Sequence, residues 1–188
     1  RFWPEIARLA GVSYDPKNIK ALVPFLGGAA KMLGATIQNT ANPTQLAAGY
    51  KANVIPQHAT AVIDGRFLPG FENELIETIR NLVGPDIEVN VMVRDKALEV
   101  DFEGPLVEKM INSIRKYDPD AIVVPYLMSG GTDNKALSDL GIKGFGFSPL
   151  QLPADLDFFS LFHGVDERVP ISAIEFGVQV LKDFLEKA

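Results

Sequence analysis

The hydrophobic pattern is clearest between residues 72 and 93, where it changes period and predicts two different elements. Glu72 to Val83 places Leu75, Ile76, Ile79, Leu82 and Val83 at helical spacing, and Gly84-Pro85 ends the run. Ile87, Val89, Val91 and Val93 then alternate with their neighbours, the period of a half-buried strand. Upstream, an alternating stretch from Thr44 and another through Ala61, Val62 and Ile63 flank a loop at Asn53-Val54-Ile55-Pro56, which predicts two strands, the second closed by Pro69-Gly70. Strand, strand, helix, strand is most of a ferredoxin-like split unit, and the strand and helix that normally open it are not evident. Residues 1–36 read instead as helix and loop, broken by Gly11, Pro16, Pro24 and Gly27-Gly28, with Leu22, Val23, Phe25, Leu26 and Met32 as their apolar content.

Arg94-Asp95-Lys96 is the polar stretch that best marks a domain boundary. Beyond it, Leu106, Val107, Met110, Ile111 and Ile114 form an apolar helical stripe, Ala121 to Leu127 reads as a buried strand, and Ala136 to Leu140 as a short helix. Gly144-Phe145-Gly146-Phe147 reads as a further buried strand. The chain closes with the stripe Ile171, Ile174, Val178, Leu181 and Leu185, opened by a Ser172-x-x-Glu175 capping box. Alternation of helix and strand predicts an α/β layer with parallel strands.

Composition narrows the chemistry. At 188 residues and 47% hydrophobic positions the chain has enough apolar content for one sizeable core or two small ones. No apolar run reaches the roughly 18 to 20 residues that span a bilayer, and the N-terminus has no signal-peptide pattern, so the expectation is a cytoplasmic protein without a membrane partner. A net charge of -6 without a Lys/Arg cluster argues against nucleic acid. With no cysteine, His, Asp and Glu are the strong metal-ligand types available.

His163 is one of two histidines, and Gly164 after it gives a loop the freedom to present an imidazole to a metal; a lone histidine is a weak signal for this, and the plainer reading is a loop histidine bonded to a carboxylate such as Asp166. Ser129-Gly130-Gly131-Thr132, directly after a predicted strand, offers free N–H groups and a hydroxyl to an anionic or carbonyl ligand, or is a strand-to-helix turn in which Thr132 caps the helix. Asn53 can donate to a carbonyl or oxyanion and Arg66 can fork onto a carboxylate. Their structural alternatives are a turn before Pro56 and ion pairs with Asp64 or Glu72. His58, Trp3 and Phe158-Phe159 read as structural.

Taken in order, Gly49 to Pro56, Asp64-Gly65-Arg66-Phe67-Leu68-Pro69-Gly70, Ser129 to Lys135, Gly144 to Pro149 and Phe162 to Val169 resemble the M20 zinc metallopeptidases and aminoacylases, from about residue 40 to the end. The resemblance implies a partial ferredoxin-like lid and dimerisation domain over residues 1–95, followed over 96–188 by the C-terminal part of an α/β zinc-peptidase catalytic domain. It implies two zinc ions per intact subunit, a homodimer formed through the lid, and a small peptide or N-acyl amino acid as substrate. By position, His163 matches the last zinc ligand, Asn53 and Arg66 the lid residues that bind the substrate carboxylate or tetrahedral intermediate, and Ser129, Gly130, Gly131 and Thr132 the substrate-binding loop. The family's His-x-Asp pair and Glu-Glu doublet, which holds its general base, occur nowhere in the sequence, so no catalytic acid or base is assigned. The expectation is part of a zinc-dependent amide hydrolase, inactive alone; the alternative is a non-catalytic ligand-binding or dimerisation module.

Overall fold

The structure, a computed structural model, describes residues 2–187, with side-chain packing for all of these except residues 28, 31, 32 and 35. The apolar contribution expected of Met32 falls outside that described packing. The chain forms two compact units, residues 35–98 and residues 1–34 together with 99–188. Residues 1–34, which the sequence reading put in the first domain, therefore pack with the C-terminal segment.

In the first unit, β1 (Thr40–Ala48) and β2 (Ala59–Arg66) pair antiparallel, from Thr40 opposite Arg66 to Ala48 opposite Ala59. The register slips between Pro43 and Gln45, leaving Thr44 as an extra residue whose Oγ1 donates to the Val62 carbonyl at 3.2 Å. Pro43 has no N–H to give the ladder, and a bulge is where a strand tolerates that loss. The helix α3 (Glu72–Val83) follows as its spacing predicts. Glu72 and Glu74 favour its start electrostatically, and Gly84, at φ 76°, turns the chain out while its N–H donates to the Arg80 carbonyl at 3.1 Å. A β-carbon on Gly65 would lie 2.9 Å from Leu75 Cδ2, so strand and helix meet where the strand has no side chain. Asn39 fixes the chain between them, donating to the Phe71 carbonyl and accepting from the Leu68 N–H.

The third strand expected over Ile87 to Val93 is not formed. That segment has no ladder partner among the described residues and is exposed at Ile87, Val91 and Val93; Arg94 after it donates to Asn73, at the start of α3, at 2.8 Å. Alternation specifies an extended backbone with two faces; it does not supply a neighbour for the ladder.

In the second unit, α1 (Phe2–Ala10), a 3₁₀ stretch over Ile19–Ala29 broken at Gly27 (φ 54°), and α2 (Ala30–Leu33) are followed by α4 (Pro105–Tyr117), α5 (Asn134–Asp139), α6 (Phe158–Leu161) and α7 (Ile171–Lys187). Residues 121–127 and 144–147 have no ladder partners, so the expected parallel layer is absent among the described residues, whose sheet is the β1–β2 ribbon. The fold is mixed helix with a small antiparallel sheet.

The core here is the α4–α7 contact. Val107, Met110 and Ser113 of α4 are buried, as are Ala173, Gly177, Val180 and Asp183 of α7. The stripe expected to be buried on α7 faces solvent instead, with Ile171 75% and Leu185 69% exposed. Pro170 precedes the helix and Ser172 lies inside its first turn, so the capping box expected at Ser172 has the wrong frame to cap it. Asp183 accepts from Ser113 Oγ at 3.2 Å and Lys187 Nζ at 2.5 Å, and pairs with Lys116 on its other oxygen. These partners, Lys116 foremost, then Lys187 and Ser113, hold its carboxyl down from 3.8 to about 2 against the opposing effect of burial.

Two predictions follow from this contact. A helix interior normally gains about 1 kcal/mol when Gly becomes Ala, but a β-carbon on Gly177 would meet the Pro149 carbonyl oxygen at 2.5 Å, a backbone atom with no side-chain freedom. Gly177→Ala is therefore expected to destabilise the chain by about 1–3 kcal/mol in urea unfolding; a gain in midpoint contradicts the packing. Because the folded pKa of Asp183 is depressed, its contribution is complete above 3.8 and is lost as pH falls toward about 2. Stability measured by denaturation should drop across that window, and Asp183→Asn should flatten the drop while lowering stability at pH 7.

Candidate functional site

Asn53 lies in the hairpin connection between Ala48 and Ala59, within a turn closed by the Val54 N–H on the Lys51 carbonyl at 3.2 Å. Arg66 pairs with Thr40 at the other end of the ribbon. Its Nη2 donates to Asp64 Oδ2 at 2.7 Å, with the side chain 45% exposed, so the ion pair foreseen as the structural alternative is formed and the guanidinium still faces solvent. The structure thus sets Asn53 and Arg66 at opposite ends of one ribbon rather than side by side. His58 precedes β2 in the connection and is exposed, not in the strand as its sequence position suggested.

In the other unit, Ser129 and Gly130 bend the chain out of the 121–128 segment, and Thr132 precedes α5. The residue at the helix start is Asp133, without a side-chain cap; Thr132 contributes its carbonyl, which accepts from the Lys135 N–H at 3.1 Å. A Gly131 β-carbon would stand 3.7 Å from Lys135 Nζ, so the glycine leaves an ammonium close to the loop backbone. Lys135 is a charged group the sequence reading passed over, legible only as a cation one helical turn after a Gly-Gly pair. Asn134 covers Gly144 so closely that a side chain there has no room, which joins the loop to the Gly144–Phe147 segment.

His163 occupies a strained position. Phe162 has φ -56° and ψ 126°, His163 has φ 58°, and the Gly164 N–H donates to the Leu161 carbonyl at 2.9 Å. These are the marks of a type II turn with His163 where glycine is normally required. His163 is the one non-glycine residue with positive φ among the described residues. Asp166, named as its carboxylate partner, pairs with Arg168 instead. Among the described residues no three His, Asp or Glu side chains converge to hold a metal ion. One imidazole does not fit a zinc site, which needs three or four protein donors.

A cavity of about 420 Å³ beside the end of α3, lined by Arg80, Asn81, Gly84, Pro85, Ile87 and Val89, contains none of these residues. Phe158, Phe159 and Phe162 cluster edge to face just before the His163 turn, with Phe158 and Phe162 centroids 5.0 Å apart. They pack on one another, as their sequence suggested.

Residues 17–88 match the family described as the M20 peptidase dimerisation domain. This stretch is an M20 dimerisation domain. It takes in the whole ribbon and α3, and starts within the part of the chain that packs with the C-terminal unit. Beyond it, the chain is similar to an N-fatty-acyl-amino acid synthase/hydrolase of Mus musculus, 29% identical over 82% of this chain and 31% of that protein. It is similar to a probable carboxypeptidase S-like protein of Dictyostelium discoideum, 32% identical over 74% of this chain and 27% of that protein. A Homo sapiens N-fatty-acyl-amino acid synthase/hydrolase is 27% identical over 84% of this chain and 32% of that protein. The chain therefore spans about a third of the length of these M20 relatives. No solved structure matches it at a significant level.

The turn geometry yields a prediction for stability. A left-handed non-glycine residue costs roughly 1–2 kcal/mol, so His163→Gly is expected to stabilise the chain by about 1 kcal/mol in thermal or urea unfolding. Unchanged or lower stability in that variant means that the turn is not strained.

Proposed function

We propose that this chain supplies the lid and the closing catalytic segment of an M20 hydrolase that cleaves an amide bond next to a free carboxylate, in a peptide or an N-acyl amino acid. The observation that carries the reading is similarity over most of the chain, 82% and 74% of its length, to relatives named for an N-fatty-acyl-amino acid and for a carboxypeptidase. In this reading the unit of residues 35–98 acts as lid, and residues 1–34 together with 99–188 belong to the catalytic part. On the lid, Arg66 is the candidate partner for a substrate carboxylate and Asn53, at the other end of the same ribbon, a candidate donor to a carbonyl or oxyanion; in the other unit, the Ser129-Gly130-Gly131-Thr132 backbone and hydroxyl are candidates for binding polar groups of a ligand. His163, by position the last zinc ligand of the resembled family, is a single candidate donor, and the described residues do not bring further donors to it. The lid pairs two such chains into a homodimer, and the working compartment is the cytoplasm.

The exposed Ile171-to-Leu185 stripe of α7 supports the need for further polypeptide, since large apolar patches usually mark covered surfaces. The second reading is a non-catalytic dimerisation module, favoured by the domain match at residues 17–88 and by the lack of a converged metal cluster among the described residues. Metal dependence of ligand binding separates the two.

The 188-residue chain alone is expected to show no amidase activity and, in native mass spectrometry, a subunit near 20.5 kDa that pairs into a dimer. Hydrolysis of an N-acyl amino acid by this chain, abolished in His163→Ala, contradicts the shared-site reading. In the longer enzyme, Arg66→Ala should lower kcat/KM by about 2–3 kcal/mol of transition-state binding, because it leaves a charged partner unpaired. Unchanged kcat/KM removes Arg66 from the site.

A further inference from the structure

Gly65 sets the two faces of β2. A β-carbon there would lie 2.9 Å from Leu75 Cδ2, so position 65 faces α3, and its neighbours Asp64 and Arg66 project from the other side of the ribbon. On that side Asn42 stands opposite Asp64 and Thr40 opposite Arg66. The Arg66 guanidinium donates through Nη2 to Asp64 Oδ2 at 2.7 Å, and the two side chains keep solvent contact, at 45% and 40% exposure. Thr40 is not a second acceptor for it, because its hydroxyl oxygen is buried and makes no hydrogen bond among the described residues.

We propose that Asp64 is a positioning residue for Arg66: it takes one N–H of the guanidinium and holds the planar fork in one orientation, ready for a ligand carboxylate. This rests on the reading of Arg66 as the partner of a substrate carboxylate and adds how that arginine is made ready. Two effects of Asp64 oppose each other. A long side chain ordered in advance spares the ligand the loss of its rotamer freedom, a gain of about fivefold in affinity. Against this, a second carboxylate on the same guanidinium is repelled by the first, a loss of about twofold once water and physiological salt screen the charges. Ordering therefore outweighs repulsion. The two effects are separable, since Asn keeps an acceptor oxygen and carries no charge, whereas Ala removes both.

The first readout is the arginine itself. In heteronuclear NMR spectra of the 188-residue chain, the Arg66 Nε–Hε group is expected to be motionally restricted in the wild type and in Asp64→Asn, and freely averaged in Asp64→Ala. Equal mobility in all three overturns the proposal. The second readout is selectivity in the longer enzyme, assayed on an N-acyl amino acid and on its C-terminal carboxamide. Asp64→Ala should lower kcat/KM for the acid by about threefold, through KM, and Asp64→Asn should exceed Asp64→Ala by about fivefold. Neither variant should change turnover of the carboxamide, and Asp64→Ala should cost nothing further once Arg66 is already alanine. Should Asp64→Ala not fold, Asp64→Glu keeps the charge but displaces the fork by one methylene, and should show the same loss confined to the acid. A loss shared by both substrates, or one that persists without Arg66, makes Asp64 structural and overturns the proposal. Asp64→Asn as poor as Asp64→Ala means that the charge itself meets the ligand, which overturns it as well. Arg66→Ala without effect on the acid sinks the carboxylate reading of Arg66 and this proposal with it; a harmful Arg66→Ala beside a neutral Asp64→Ala sinks the proposal alone.

Discussion

A buried carboxylate decides how the C-terminal unit packs. Helix α7 is apolar on two sides, and the side carrying Ile171, Ile174, Val178, Leu181 and Leu185 has the larger hydrophobic surface. Burial of area alone favours turning that side to α4. The opposite happens because Asp183 lies on the other side, where Lys116, Lys187 and Ser113 can satisfy it. Leaving one member of such a set unpaired costs more than the set itself contributes, so the arrangement specifies an orientation more than it adds stability. Ala173 and Gly177 complete the choice, since a face without side-chain bulk lets the Pro149 backbone lie against the helix.

That orientation has a price elsewhere in the surface. It leaves the Ile171-to-Leu185 stripe facing water. In the other unit a two-stranded ribbon, marginal by itself, leans on one helix through Gly65 and Leu75 while Ile87 to Val93 stay unpaired. Both units thus contain apolar segments that pair in no ladder among the described residues. On the proposed reading the missing neighbours are other parts of an M20 hydrolase, of which the relatives' length leaves ample room.

Local signals were legible wherever one element could be satisfied by its own residues. The α3 limits follow from the 3.6-residue period and the Gly84 stop, and the β1–β2 pair from alternation around a Gly- and Pro-bounded loop. What alternation cannot encode is the neighbour, which is why Ile87 to Val93 and Ala121 to Leu127 have the pattern of strands and not the pairing. The facing of α7 was misread for a related reason. The period marks an apolar stripe, but the buried side was set by a single charge and a single glycine, neither of which scores as hydrophobic. Of the site residues, the Arg66 ion pair with Asp64 was legible from their spacing in one strand, where residues two apart share a face. The separation of Asn53 from Arg66 followed only once the hairpin register was known.

The His163 turn links local strain to the site chemistry. A type II turn asks for glycine at its third position, and the sequence Leu161-Phe162-His163-Gly164 places the glycine one residue too late. Nothing in the packing of the turn explains the exchange, because Asp166 pairs with Arg168 and the phenylalanines of α6 pack on one another. Strain that folding does not use is the usual trace of a residue kept for its chemistry. An imidazole is a good metal ligand and a poor turn residue.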